Sequence, residues 1–155
     1  MEIMGRLHAR WRIAIMVPLV YLGLGTLAVE TVFDGSKGRP GLMPMSEEAF
    51  GLGCLFGGLL LGALWVTINR LKGREFEELS GVADDPPEFL RLAQRHQFTQ
   101  FTVCDLAASP GIFLFLLQGE LVALFLFVVA SEVFYLRAFP SDKRLGEAMF
   151  RAGVR

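Results

Sequence analysis

The chain has 155 residues, 53% of them hydrophobic, and a formal net charge of −1. That balance sets up no global field for nucleic acid, so none is expected as a partner. The apolar residues come in long blocks rather than the interrupted stripes of a soluble core, and mean hydropathy is positive, which points to a membrane protein rather than a water-soluble domain.

Residues 1–12 read as a short basic lead carrying Arg6, Arg10 and Arg12. The apolar run from Ile13 to Thr31 is longer than a signal-peptide core and is followed by no convincing cleavage site. It is read as an uncleaved first span. Pro18 lies near its start, where a missing backbone donor costs little. Between Asp34 and Ser46, Gly35, Gly38, Pro40, Gly41 and Pro44 interrupt any regular element.

Ser46, followed by Glu47 and Glu48, has the form of an N-cap with acids in the first turn. No charge occurs from Ala49 to Ile68, the second span. Its Gly53-xxx-Gly57 and Gly58-xxx-Gly62 steps are small-xxx-small pairs. Such pairs let helix backbones approach where lipid supplies no hydrophobic drive for association. They predict a close helix contact, within the chain ahead of one between copies.

Residues 70–97 are the one large polar segment and read as a central loop. Within it, Asp84-Asp85-Pro86-Pro87-Glu88 looks like a helix cap with prolines at the entry, and 89–97 reads as a helix leading into the next span. The third span covers 99–117 and the fourth 121–136, joined by Gln118-Gly119-Glu120. Each is about long enough to cross a hydrocarbon core of roughly 30 Å at about 1.5 Å per residue. The tail, 139–155, is basic. The expected fold is all-α: one domain, a bundle of four transmembrane helices with a tight hairpin between spans three and four.

The basic residues orient the bundle. Lead, central loop and the stretch from Arg137 onward hold thirteen of the fifteen, and only Lys37 and Arg39 fall elsewhere. The positive-inside rule then predicts both termini on the cytoplasmic side, in a membrane such as the bacterial cytoplasmic membrane. Trp11, Tyr135 and Trp65 fall toward that boundary, where interfacial aromatics belong.

Two acids lie inside the last hairpin. Asp105 stands fourteen residues before Gly119 and Glu132 thirteen after it. In an antiparallel pair they share a depth, about 20 Å from the outer end. An ionised carboxylate within a span costs several kcal/mol unless paired, hydrated or protonated. The pair is therefore a candidate proton or cation site, with Thr102, Ser109 and Ser131 as polar neighbours. The bland alternative has both acids reaching interfacial water, or pairing with Arg137, Arg95 or Arg10. Pro110-Gly111 in the third span predicts a kink, since proline frees the carbonyl one turn earlier.

No catalytic motif is present, His8 and His96 are isolated, and Cys54 and Cys104 have no Cys or His at ligand spacing. Neither metal, cofactor nor enzymatic activity is expected. The stretch Ala108-Ser109-Pro110-Gly111-Ile112-Phe113-Leu114-Phe115-Leu116-Leu117 resembles the third span of an uncharacterised family of small bacterial four-span membrane proteins. That span commonly runs Glu-Ala/Ser-Pro-Ala, then an aromatic, Gly and Leu, with a short glycine turn and a basic, proline-containing tail after the fourth span. The ion-carrying helix of ATP synthase subunit c proteolipids has a similar pattern. The resemblance covers the last third of the chain and implies the four-span architecture. Here Ala108 stands at the usual glutamate position, which argues against rotor-type proton translocation; Asp105 lies one turn earlier on nearly the same face. The expected role is that of a non-enzymatic structural or accessory subunit packing against a membrane partner or a second copy, within the lipid bilayer. The alternative is a proton- or cation-conducting element.

Overall fold

A computed structural model describes residues 2–31, 41–43, 45–82 and 85–139. Most of the first loop and the tail from Pro140 lie outside them, with the expectations placed there. The described residues are helical throughout apart from short connections, and they contain four helices long and apolar enough to cross a membrane. The elements are α1 (Glu2–Ala14), α2 (Met16–Thr31), α3 (Glu47–Gly81), α4 (Pro86–Gln118) and α5 (Leu121–Ala138).

α1 and α2 form one spanning unit with an irregularity at Ile15, whose amide still bonds Trp11 O at 3.0 Å. Pro18 lies in the first turn of α2, where its missing donor would otherwise have met Ala14 O. The basic lead is thus helical from Glu2.

Ser46 caps α3, its Oγ accepting from Ala49 N at 3.2 Å, and Asp85 caps α4 by accepting from Glu88 N at 3.2 Å. Both caps stand where the sequence puts them. The polar segment 70–97, expected as a loop, is mostly helix. α3 continues to Gly81 and α4 begins at Pro86. At 35 and 33 residues they run about 50 Å, well beyond a bilayer core of roughly 30 Å. A helix does not stop where the bilayer stops; it stops at a cap or a breaker, and the first such signal after Ser46 is the Gly81–Pro86 connection.

The projecting ends of α3 and α4 gather with α1 around a small core of Leu7, Leu79, Phe89 and Ala93. Gln97 Nε2 donates to Leu7 O at 2.8 Å and fixes α1 onto α4.

The α4–α5 hairpin is the pillar of the bundle, and these two helices share its largest contact. Gly119 turns the chain with φ of 77°, a left-handed conformation that glycine adopts without a Cβ clash, and its amide bonds Phe115 O at 2.6 Å. Gly111 lets the two backbones meet: a Cβ there would lie 3.1 Å from Ala123 O and 3.2 Å from Leu124 Cα. α3 packs on one flank through Leu114, Ala123 and Phe127. α2 packs on the other through Phe115, Leu124 and Val128. Near the loop end, residues 41–43 and Met45 dock on the last turn of α4. Leu42 N and Met43 N bond Leu116 O and Leu117 O at 3.0 Å, and Met45 N bonds Gln118 Oε1 at 2.7 Å. The Leu42 and Met43 amides occupy carbonyls that a helix end leaves unpaired.

The outward faces carry a continuous set of large apolar side chains. Leu19, Leu24, Leu55, Phe56, Leu59, Phe113, Phe125, Leu126 and Val129 are all exposed. Such a surface is unfavourable in water and natural against hydrocarbon.

Candidate functional site

The acids of the hairpin belong to a polar band that crosses the bundle toward its basic end. Asp105 accepts a hydrogen bond from Tyr135 Oη at 2.7 Å. The partner is thus Tyr135, one turn beyond Glu132. Helical side chains lean toward the N-terminus of their own helix. Asp105 on α4 therefore leans toward the basic end, and in an antiparallel hairpin its α5 neighbour is displaced toward the α5 C-terminus. Equal depth of Cα atoms did not account for that offset.

Glu132 is half-buried, and its Oε1 is buried with no hydrogen-bond partner among the described residues. It does not bond Asp105. Neither acid forms a salt bridge with Arg137, whose Nε instead donates to Asn69 Oδ1 at 2.9 Å. Cys104, next to Asp105 in α4, is fully buried. The band therefore draws on α3, α4 and α5.

The three hydroxyls named from the sequence are used otherwise. Ser131 Oγ donates to Cys104 O at 2.7 Å and ties α5 to α4 beside Asp105. Thr102 is exposed and bonds Phe98 O of its own helix at 3.1 Å. Ser109 Oγ donates to Leu106 O at 2.8 Å. Leu106 O is the carbonyl that Pro110, lacking an N–H, leaves without its helical partner. The serine hydroxyl replaces the missing donor, and the helical assignment of α4 continues past Pro110. The Ser-Pro step is thereby internally satisfied.

Sequence reading passed over the rest of the band. Lys72 on α3 is only 5% exposed, bonds Phe139 O at 3.2 Å and pairs with Glu75 at 3.4 Å. Gln100, also buried, donates from Nε2 to Glu75 Oε2 at 2.9 Å. Trp11 Nε1 donates to Tyr135 O at 2.8 Å. Phe139 stacks on His8 and meets Trp11 edge-on. Trp11 and Lys72 thus occupy carbonyls at the α5 C-terminus that have no helical donor. A signal was available: Lys72 and Glu75 stand three apart, the spacing of a helical ion pair.

Of the four packing glycines, Gly53 and Gly57 face the chain's own helices. A Cβ on Gly53 would lie 2.8 Å from Leu114 Cδ2; one on Gly57 would run into the Phe127 ring and stand 3.1 Å from Pro110 Cβ. Gly58 and Gly62 have nothing within 4 Å. The first step is internal packing and the second faces outward. Between α3 and α4 runs an apolar groove of about 770 Å³, with Leu52, Phe56, Pro110 and Phe113 among its walls. Cys54 and Cys104 are free thiols.

No protein-family model matches this chain, and no match is found among curated proteins or solved structures.

Proposed function

We propose that the chain is a non-enzymatic integral membrane protein, a small accessory subunit that packs against a membrane partner or a second copy with both ends in the cytoplasm. The observation that carries this reading is the uneven burial of its spans. In α4 and α5, 44% of the apolar window is buried within the chain, against 11% in α3. α3 thus contributes a span whose outer face, with Gly58 and Gly62 open, is left for contacts beyond the chain. Gly58→Leu combined with Gly62→Leu is expected to leave the fold intact and to release the partner on pull-down in mild detergent. Unchanged recovery of complexes would remove the support for a packing role.

The orientation rests on the basic residues at one end. In intact cells, a lone cysteine introduced by Ser80→Cys, with Cys54→Ala and Cys104→Ala, is expected to resist a membrane-impermeant maleimide. Labelling without permeabilisation reverses the orientation.

A second reading has its own observation. The unpartnered Glu132 Oε1, near an Asp105 held by Tyr135, suits a proton or cation site. On this reading Asp105→Asn and Glu132→Gln each abolish ion flux into liposomes containing the purified protein. Flux equal to that of the unaltered chain sinks it.

A further inference from the structure

Glu132 continues a row on the α2 flank of α5. Leu124 and Val128 lie in the cluster against which Leu22, Ala28 and Val29 of α2 pack. Glu132 stands one further turn along the same face. Two contacts fix what lies opposite. Trp11 Nε1 donates to Tyr135 O, and Gly25 packs on Leu124. Between these points the α1–α2 unit and α5 run antiparallel, so the step from Tyr135 back to Glu132 matches the step from Trp11 on to Ala14. Ala14 and Ile15 accordingly pack against the cluster that holds Tyr135. Glu132 thus stands level with the irregularity between α1 and α2.

That irregularity frees an acceptor. Pro18 has no amide hydrogen, so Ala14 O lacks its helical donor. The Pro18 side chain is fully buried, which turns this stretch toward the bundle. The Ala14 carbonyl points toward the C-terminus of α2, and the Glu132 side chain leans toward the N-terminus of α5, both away from the basic end. Glu132 brings a second acceptor, since its Oε1 is buried with no donor among the described residues. An ionised carboxylate is costly in such a place. Asp105 is already held by Tyr135. Among the described residues no group of three or more His, Cys, Asp or Glu is placed to hold a metal ion. One carboxyl and one carbonyl also fall short of the roughly six oxygens that a hard cation takes. A proton needs only the two.

We propose that Glu132 is a proton-binding site, its carboxyl protonated in the folded chain and donating to Ala14 O across the irregularity between α1 and α2. Taking up a proton turns the carboxylate, which can only accept, into a neutral acid with one O–H donor. The buried charge is removed and the carbonyl freed by Pro18 is satisfied in the same step. The site requires no cavity, because the proton lies on the bond between the two oxygens. The assignment rests on the reading of Asp105 and Glu132 as a proton or cation site, and it names the ion and the residue that holds it.

Infrared spectroscopy reads the proton directly. The full chain is purified at neutral pH in a maltoside detergent, which has no carbonyl of its own. A neutral carboxyl absorbs above the amide and carboxylate bands. That band is expected in the unaltered chain, to vanish in Glu132→Gln and to persist in Asp105→Asn. Pro18→Ala restores an amide donor to Ala14 O, and the band is then expected to move to higher wavenumber or to vanish with the proton. No band in the unaltered chain, a band that survives Glu132→Gln, or one lost in Asp105→Asn instead would overturn the site. A band unchanged in folded Pro18→Ala would overturn Ala14 O as the acceptor. The result is read without ion flux. A band with no flux in liposomes keeps the proton site and removes only the conducting reading; flux with no band does the reverse.

Discussion

Gly111→Val is expected to disrupt the α4–α5 hairpin, while Gly23→Val leaves the bundle close to its original stability. A Cβ at Gly111 would sit 2.6 Å from Phe127 Cβ and would press on Ala123 O and Leu124 Cα, which are backbone atoms of the neighbouring helix. A flexible side chain can swing away from an added methyl; a helix backbone moves only by displacing the whole helix. Overpacking costs about 1–3 kcal/mol where side chains can adjust, and more where they cannot. Because α4 and α5 support both α2 and α3, separating them also strips the flanks of their packing surface. At Gly23 nothing lies within 4 Å, so the same substitution meets only the outside of the bundle. Thermal or denaturant unfolding in detergent micelles should show a loss of several kcal/mol for Gly111→Val and below about 1 kcal/mol for Gly23→Val. Matching losses in the two variants would contradict the close approach at Gly111.

How much of this was legible in the sequence depends on what kind of signal each feature leaves. The four apolar runs, the two helix caps and the Gly119 turn are local, and Ser46, Asp85 and Gly119 each do in the structure what their residue type predicts. The extent of α3 and α4 was hidden because the end of an apolar run marks a change of surroundings, not of backbone. Leu71, Phe76 and Leu79 continue at helical spacing beyond Ile68, but Gly73 and the mixed charges around them mask the pattern. The four glycines of the two small-xxx-small steps of α3 are alike in sequence and unlike in space. Only the facing of the helix separates Gly57, packed on Phe127, from Gly58, which is open.

The candidate site was half legible. Asp105 and Glu132 announce themselves as charges in apolar runs, but which groups meet them depends on side-chain lean and on a third and fourth helix. Tyr135 was read as an interfacial aromatic, and it is fully buried with its hydroxyl on Asp105. Thr102 and Ser109 share the Asp105 face by spacing, yet each hydroxyl is taken by a carbonyl of its own helix. Local backbone acceptors compete for Ser and Thr before any distant partner does.

Lys72→Met should be the more damaging of the two members of the buried ion pair to lose. Lys72 is 5% exposed and Glu75 15%, so both charges are largely removed from water. Taking away one partner of a buried pair costs about 3–5 kcal/mol, since the remaining charge keeps its desolvation penalty without its compensation. Here the ammonium also bonds Phe139 O at the end of α5. Its loss therefore leaves a carboxylate and a carbonyl short of a donor. Glu75 would retain only the amide of Gln100 among the bonds described here. Replacing both members, Lys72→Met with Glu75→Gln, removes both charges and keeps a side chain able to bond Gln100. That double variant should recover most of the lost stability, a coupling of at least about 1 kcal/mol in a double-mutant cycle. The measurement also separates two views of the band. If Lys72→Met unfolds like the unaltered chain, water reaches Glu75 and the band is open to solvent from the basic end. If it is destabilised and the double variant is rescued, the band is dry at Lys72.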